Sequence, residues 1–348
     1  MIRKPTLSQQ MIKKINSNVK EKKEYDGNTE QMISTGSTLL DLAISGGRIK
    51  GGGIPAGVLV EIFGAAGSGK TVLLCEIAGR IQQQGGEVMF HDPEARLNKQ
   101  FAKMFGLDTE IMAYTNPDTI PEVFSKVREW SPKSKAINGV FADSLAALST
   151  DMEMGNKDGD KMGGRRAKEF SEQLRKTCRV LTQNNLLMVC SNQIRQNMDA
   201  GQFGQKYISP GGEAIGFYSS IRLRTTKPEK IKKEISVANR KVTRVIGVNV
   251  DIEVFKNSCW KPYRIAPLTI LFDYGIDDIR QNLQFIKDHT KNTIYTVLGK
   301  NLDISLDKSI EMIEENNWVN KLKFETIELW AEIEKKFDSE RKQKYGTD

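Results

Sequence analysis

The sequence predicts an α/β fold: a mostly parallel sheet flanked by helices, with an N-terminal amphipathic helix before it and a small C-terminal helical domain after it. Three observations carry that expectation. From Ile33 to about Phe272, short apolar runs alternate with amphipathic stretches, as βα units require. One run, "VLVEIF", passes through a glycine-rich turn straight into a helical pattern. Past "YGIDD" the texture changes to helix formers in a dense mixture of charges.

Thr6 and Gln9 fit a capping box, and Leu7, Met11, Ile12, Ile15 and Val19 recur at helical spacing, so residues 6–23 are expected to form an amphipathic helix. The polar stretch "KEKKEYDGNTEQ" separates it from the rest and leaves its apolar face free to dock on this subunit or on a neighbour. Residues 1–32 therefore read as a helix and linker, and residues 33–276 as the body. In the body, "VLVEIF", "EVMFHD", "GVFADS" and "LLMVCS" read as strands, with helices from Lys70, near "KQFAKMF" and from Arg165. "IRLRTT" and "GVNVDIEVF", flanked by charges, are expected as antiparallel strands at the sheet edge. Residues 277–348 read as the small helical domain. Between strand and helix signals lies "NMDAGQFGQKYISPGG", Asn197 to Gly212, a length without periodicity that marks either a linker or a loop kept for binding.

With 39% hydrophobic and 28% charged residues the composition is that of an ordinary globular protein, and no apolar run approaches the roughly 18 to 20 residues that span a bilayer. No membrane partner is expected. The N-terminus lacks an apolar signal core, which predicts a cytoplasmic protein. Four scattered cysteines without a CxxC pair read as buried free thiols, and two histidines in all argue against a zinc site. A net charge of +8 favours a polyanionic partner, although many basic proteins have none.

The turn after "VLVEIF" is "GAAGSGKT", a phosphate-binding loop with both flanks in place. The amides around Gly64, Gly67, Ser68 and Gly69 are expected to turn onto the phosphates of a nucleotide, Lys70 to reach the β and γ phosphates, and Thr71 to offer its hydroxyl to Mg²⁺. Asp143 ends "INGVFADS" at the carboxyl end of a strand, where a second oxygen donor would hold Mg²⁺ through water. Glu94 closes another strand in "FHDPEARLN" and suits the positioning and deprotonation of an attacking water. Asp92 competes for that role, and spacing alone does not choose between them. Gln193 in "CSNQIR" can touch the γ-phosphate and report its loss to the long segment that follows.

Taken in order, "STGSTLLDLAIS", "GAAGSGKT", "FHDPEARLN", "GVFADSLAAL", "SNQIR" and "GGEAIGFYSSIRL" resemble the bacterial RecA recombinases over roughly residues 33–275. The resemblance implies a RecA-like P-loop core and a DNA-dependent ATPase. Such a protein forms a helical filament on single-stranded DNA, pairs it with a homologous double-stranded DNA and exchanges strands. It implies ATP between subunits, with Glu94 as the catalytic carboxylate, Gln193 as the γ-phosphate sensor, and Phe101 and Phe272 against adenine. The N-terminal helix becomes a polymerisation arm on the next subunit.

Two DNA-binding loops follow from the same match, near residues 151–168 and 196–212. In the first, Met162 and Gly163 match the family, and Arg165 and Arg166 add charge. Ser171 and Arg175 align with backbone contacts if one residue is inserted. Arg195, Gly211 and Gly212 look like phosphate contacts, and Met198 like a wedge between bases. The chain also departs from the pattern. Asn98 stands where the family usually has an aspartate near adenine, and Lys256 is kept while Ser258 replaces a second lysine that would reach across the subunit boundary. Two other readings use the same core: a ring-forming helicase, and a DNA-coating paralogue that binds ATP but scarcely hydrolyses it.

Overall fold

The computed structural model describes residues 31–46, 51–150, 163–196, 207–208 and 213–338. The amphipathic helix expected over residues 6–23 lies outside them.

Helix α1 (Thr38–Ser45) is capped by Ser37 and precedes β1 (Leu59–Gly64). Then come α2 (Lys70–Gln83), β2 (Val88–His91), α3 (Lys99–Met104), β3 (Ala113–Thr115), α4 (Ile120–Glu129), β4 (Asn138–Ala142), α5 (Gly163–Gln183) and β5 (Leu186–Gln193). Helix α6 (Glu213–Tyr218) leads into β6 (Ile221–Thr225), β7 (Glu229–Val237), β8 (Arg240–Asn257), β9 (Ile265–Leu271) and β10 (Gly275–Ile276). One sheet holds all ten strands in the order β10-β9-β8-β6-β1-β5-β4-β2-β3, with β7 paired to β8. The strands from β6 to β3 in that order are mutually parallel, and β7 to β10 are antiparallel to their neighbours.

The alternation along each buried strand sorts side chains between two faces. Val60 and Ile62 of β1 and Leu187 and Val189 of β5 pack with Leu73, Leu74, Ile77 and Ile81 of α2. Their neighbours Leu59, Met188 and Cys190 pack on the other face with Phe124 and Val127 of α4 and Phe170 and Leu174 of α5. Both faces are thus covered by helices, as a parallel sheet requires.

The placement expected for "IRLRTT" is corrected. Strand β6 is not antiparallel at an edge; it lies inside the sheet, parallel to β1. Each of its arginines meets a carboxylate on a flanking strand: Arg222 pairs with the fully buried Glu61 of β1, and Arg224 with Glu253 of β8. "GVNVDIEVF", within β8, is antiparallel as expected. The charged run "EKIKKEISV", unassigned by the sequence pattern, forms β7.

Helices α7 (Asp278–His289), α8 (Leu306–Glu315) and α9 (Val319–Lys335) gather round Ile279, Leu283, Ile286, Ile313 and Leu322. A two-residue hairpin, Thr296–Val297 with Lys300–Asn301, adds β-structure that helical patterning did not suggest. Helix α9 is fastened to the sheet by a bidentate Arg264–Glu334 pair at 3.0 and 2.7 Å and by Trp330 against Trp260, 5.5 Å between centroids.

His91 at the end of β2 is buried, with Nδ1 2.6 Å from Thr115 Oγ1 and, among the described residues, no hydrogen-bond partner for Nε2. Burial, reinforced by the Lys126 ammonium, lowers its pKa from 6.5 to about 4. The unfolded chain therefore binds this proton more readily. The stabilisation given by the neutral ring is complete above about pH 6.5 and is lost as pH falls towards 4, roughly 3 kcal/mol in all. Buried Asp41, pushed up to about 7, has the opposite slope in the same window, so the wild type alone hides the effect. Denaturant midpoints of wild type and His91→Asn, compared from pH 7 to pH 4.5, are expected to converge as pH falls.

Candidate nucleotide and nucleic-acid site

Parallel strands end at a common edge, and here that edge collects the polar residues: Gly64 closes β1, Asp92 follows β2, Asp143 follows β4 and Gln193 closes β5. Helix α2 starts at Lys70 directly after the turn, so its free amides and the positive end of its dipole face the same place. The turn needs glycine at Gly69, which has φ +80° and whose added Cβ would fall 2.1 Å from Ile270 Cδ1. Ser68 Oγ donates to the Ala65 carbonyl at 2.7 Å and lies 2.6 Å from Thr225 Oγ1, which ties the turn to β6.

Lys70 Nζ donates to the carbonyls of Gly64 (3.2 Å) and Ala65 (2.7 Å), so the ammonium is held over the glycine-rich turn. Burial lowers its pKa, and Asp143 opposes the shift. Thr71 Oγ1 donates to Asp143 Oδ2 at 2.7 Å, and the other carboxylate oxygen accepts from Ser191 Oγ of β5. Burial raises the Asp143 pKa against those two hydrogen bonds. A hydroxyl and a carboxylate fixed side by side are the oxygen donors that Mg²⁺ takes from a protein when phosphates and waters complete its shell. The residues present fit a Mg-nucleotide.

The two candidate carboxylates separate once their surroundings are seen. Asp92 is 3% exposed, and its Oδ2 accepts from Leu97 N at 2.7 Å and Tyr114 OH at 2.9 Å, which shapes the turn after β2. The Glu94 side chain is 24% exposed and meets the solvent-facing Arg96 at 3.5 Å. Glu94 is the carboxylate with room for water. Both acidic turns carry a non-glycine residue in the left-handed region, Ala95 (φ 51°) and Ser144 (φ 56°). Such strain persists only where surroundings impose it, and it concentrates at functional sites.

Asn98 caps α3, its Oδ1 accepting from Phe101 N at 3.0 Å, and Phe101 and Phe272 are both about half exposed. Gln193 is exposed at the end of β5. Behind it, buried Asn192 donates to Glu61 Oε1 at 3.2 Å, while Arg222 Nε donates to Glu61 Oε2 at 2.6 Å and stacks over Phe63, 4.4 Å to the centroid. Lys256, opposite Arg222 in register, donates through Nζ to the carbonyls of Gly216 (2.9 Å) and Phe217 (2.8 Å) in the last turn of α6. Ser258 is exposed. Sequence reasoning missed Ser191, Glu61 and Arg222. The signal was a lone carboxylate in the apolar run "VLVEIF", since a buried acid calls for a cation.

On the nucleic-acid side, part of the expected first loop is corrected: the chain is helical from Gly163, so residues 163–168 belong to α5. Arg165 and Arg175 are exposed on that helix and Ser171 is half-buried. Arg166 turns inward, its guanidinium donating to the carbonyls of Leu145 and Ala146, so its charge anchors the helix rather than extending a loop. The second segment is not wholly irregular either. Arg195–Gln196 pairs antiparallel with Tyr207–Ile208, which draws the two ends of the excursion together. Met162, Met198, Gly211 and Gly212 lie outside the described residues.

Residues 9–277 match the family model of the RecA N-terminal domain. The chain is 36% identical over 248 residues to Protein RecA of Thermus aquaticus, covering 71% of this chain and 69% of that protein. It is 31% identical over 290 residues to Protein RecA of Synechococcus sp. strain CC9605, covering 82% and 73%. Among solved structures it is similar to the RadB recombinase, with TM-score 0.48 and 20% identity over 70% of this chain and 98% of that one.

Proposed function

The chain belongs to the RecA family, and from that premise we propose that it is a DNA-dependent ATPase that assembles as a helical filament on single-stranded DNA, pairs it with homologous duplex and exchanges strands. The observation that carries this reading is the continuity of β5. Within a few residues the strand supplies Ser191 to Asp143, Asn192 to Glu61 and the exposed Gln193, and two residues past its end Arg195 stands at the closed neck of the excursion. A change at the nucleotide edge is thereby coupled to the segment read as the second DNA loop.

Mg²⁺, bound with the nucleotide, would supply neutralisation of phosphate charge. Thr71 and Asp143 would hold it, the latter through water. Lys70 exchanges its two carbonyl acceptors for phosphate oxygens, a change favoured because a buried ammonium gains more from an anion than from a dipole. Glu94 orients a water and takes its proton, and Gln193 presents its amide to the γ-phosphate. Arg165 and Arg175 offer cations to DNA phosphates.

The alternative, a DNA-coating paralogue with weak hydrolysis, draws support from Lys256, which is engaged within its own subunit, and from the exposed Ser258 where the family pattern has a lysine. ATP turnover with and without single-stranded DNA, together with electron microscopy, tests the proposal. Stimulated turnover and filaments are expected. Filaments without stimulation would favour the paralogue, and rings would sink the recombinase reading.

A further inference from the structure

Helix α2 leaves the glycine-rich turn at Lys70, and nearly two turns further along it Glu76 sends its carboxylate across to the hairpin that joins β9 to β10. Its Oε1 accepts from Ile276 N at 3.3 Å. Two glycines make the space. A Cβ on Gly275 would fall 2.7 Å from Oε1 and one on Gly36 would fall 2.9 Å from Oε2, so the carboxylate fills the room that two absent side chains leave. Burial raises the Glu76 pKa, while the Ile276 amide and the Arg80 charge oppose the shift. An acid held where burial disfavours its charge depends on the amide that it bonds.

The hairpin so fastened is short and bears an exposed ring. Strand β10 is two residues long, with Ile276 paired to Ile270 and Gly275 to Leu271. Phe272, Asp273 and Tyr274 make the turn between them, and Phe272 is 45% exposed. Gly275 lies against Phe105, whose Cδ1 an added Cβ would approach to 3.1 Å. Phe105 in turn packs against the exposed Phe101, 5.7 Å between centroids. Ile270 abuts Gly69 in the glycine-rich turn. One hairpin thus touches the start of α2, the two exposed phenylalanines and Glu76.

We infer that Glu76 is a positioning residue for the nucleotide base: it ties the Phe272 turn to the helix whose first residues face the phosphates, so that one rigid element sets the span between base and phosphates. The inference rests on the reading that ATP lies with its base against Phe101 and Phe272. A site holds its ligand when its side chains are kept within roughly 0.5 Å of the productive place. A two-residue ladder supplies little of that rigidity. The bond from Ile276 to an α-helix supplies more.

The test is calorimetric titration of the full chain with Mg-ATP and, separately, with inorganic tripolyphosphate, which carries the phosphates without sugar or base. Glu76→Ala is expected to weaken ATP binding about three- to ten-fold, the range that one lost hydrogen bond gives, and to leave tripolyphosphate binding as in the wild type. In steady-state assays the KM for ATP should rise by a similar factor while kcat holds. Glu76→Gln keeps an oxygen for the Ile276 amide and should restore the affinity. Phe272→Ala should show the same ATP-specific loss, and adding Glu76→Ala to it should cost nothing more, because Glu76 acts through that ring. An equal loss on tripolyphosphate would overturn the inference, since Glu76 would then shape α2 itself. Full additivity with Phe272→Ala, or wild-type ATP affinity in Glu76→Ala, would overturn it too. A Phe272→Ala protein with wild-type ATP affinity would overturn the base placement and the inference together. Wild-type turnover that ignores single-stranded DNA would instead overturn the recombinase reading alone.

Discussion

Replacing Glu94 by glutamine is expected to lower DNA-stimulated ATP turnover by about 10² to 10⁴, the range typical when a positioned base is removed. Nucleotide and DNA binding should persist, because among the described residues the ion pair of Glu94 is with the exposed Arg96. Asp92→Asn makes the contrast. Asp92 Oδ2 accepts from Leu97 N and Tyr114 OH, so this change should disturb the turn and lower thermal stability more than it changes chemistry. Turnover in saturating single-stranded DNA, with melting curves for both variants, separates them. A Glu94→Gln protein with wild-type turnover would rule out the assignment.

Lys70→Ala is expected to weaken ATP binding by about 10- to 10²-fold, since a charge-assisted contact to phosphate is worth about 1.5 to 3 kcal/mol. The backbone amides at the start of α2 remain and retain part of the affinity. Because Nζ also bonds the Gly64 and Ala65 carbonyls, the apo protein should lose a little stability as well. Titration with a fluorescent ATP analogue measures the first effect and thermal melting the second. Wild-type affinity in the variant would remove Lys70 from the site.

What was legible in the sequence was local. The turn "GAAGSGKT" sits between a strand and a helix that each declare themselves, and the parallel strands are apolar because both faces are covered. Pairings across strands were not legible. Glu61 and Arg222 are 161 positions apart, and each looks anomalous until the register brings them together. The same missing register sent β6 to the edge of the sheet. Strand β7 was hidden for a different reason: its charge density matches that of a linker, and only pairing with β8 makes it β-structure. The difference in surroundings between Asp92 and Glu94 lies in their hydrogen-bond partners, which spacing does not carry.

Lys256 has one ammonium and two claims upon it. Two of its three protons are engaged by carbonyls that end α6, the helix that follows the segment proposed as the second DNA loop. Any anion brought to Lys256 by a neighbouring subunit must compete with those carbonyls, so such contact is an exchange rather than an addition. The last turn of α6 would fray a little each time a neighbour engaged the cation and re-form each time it let go. Assembly would thus be registered, through one shared side chain, as a change in the terminus of a helix only six residues long.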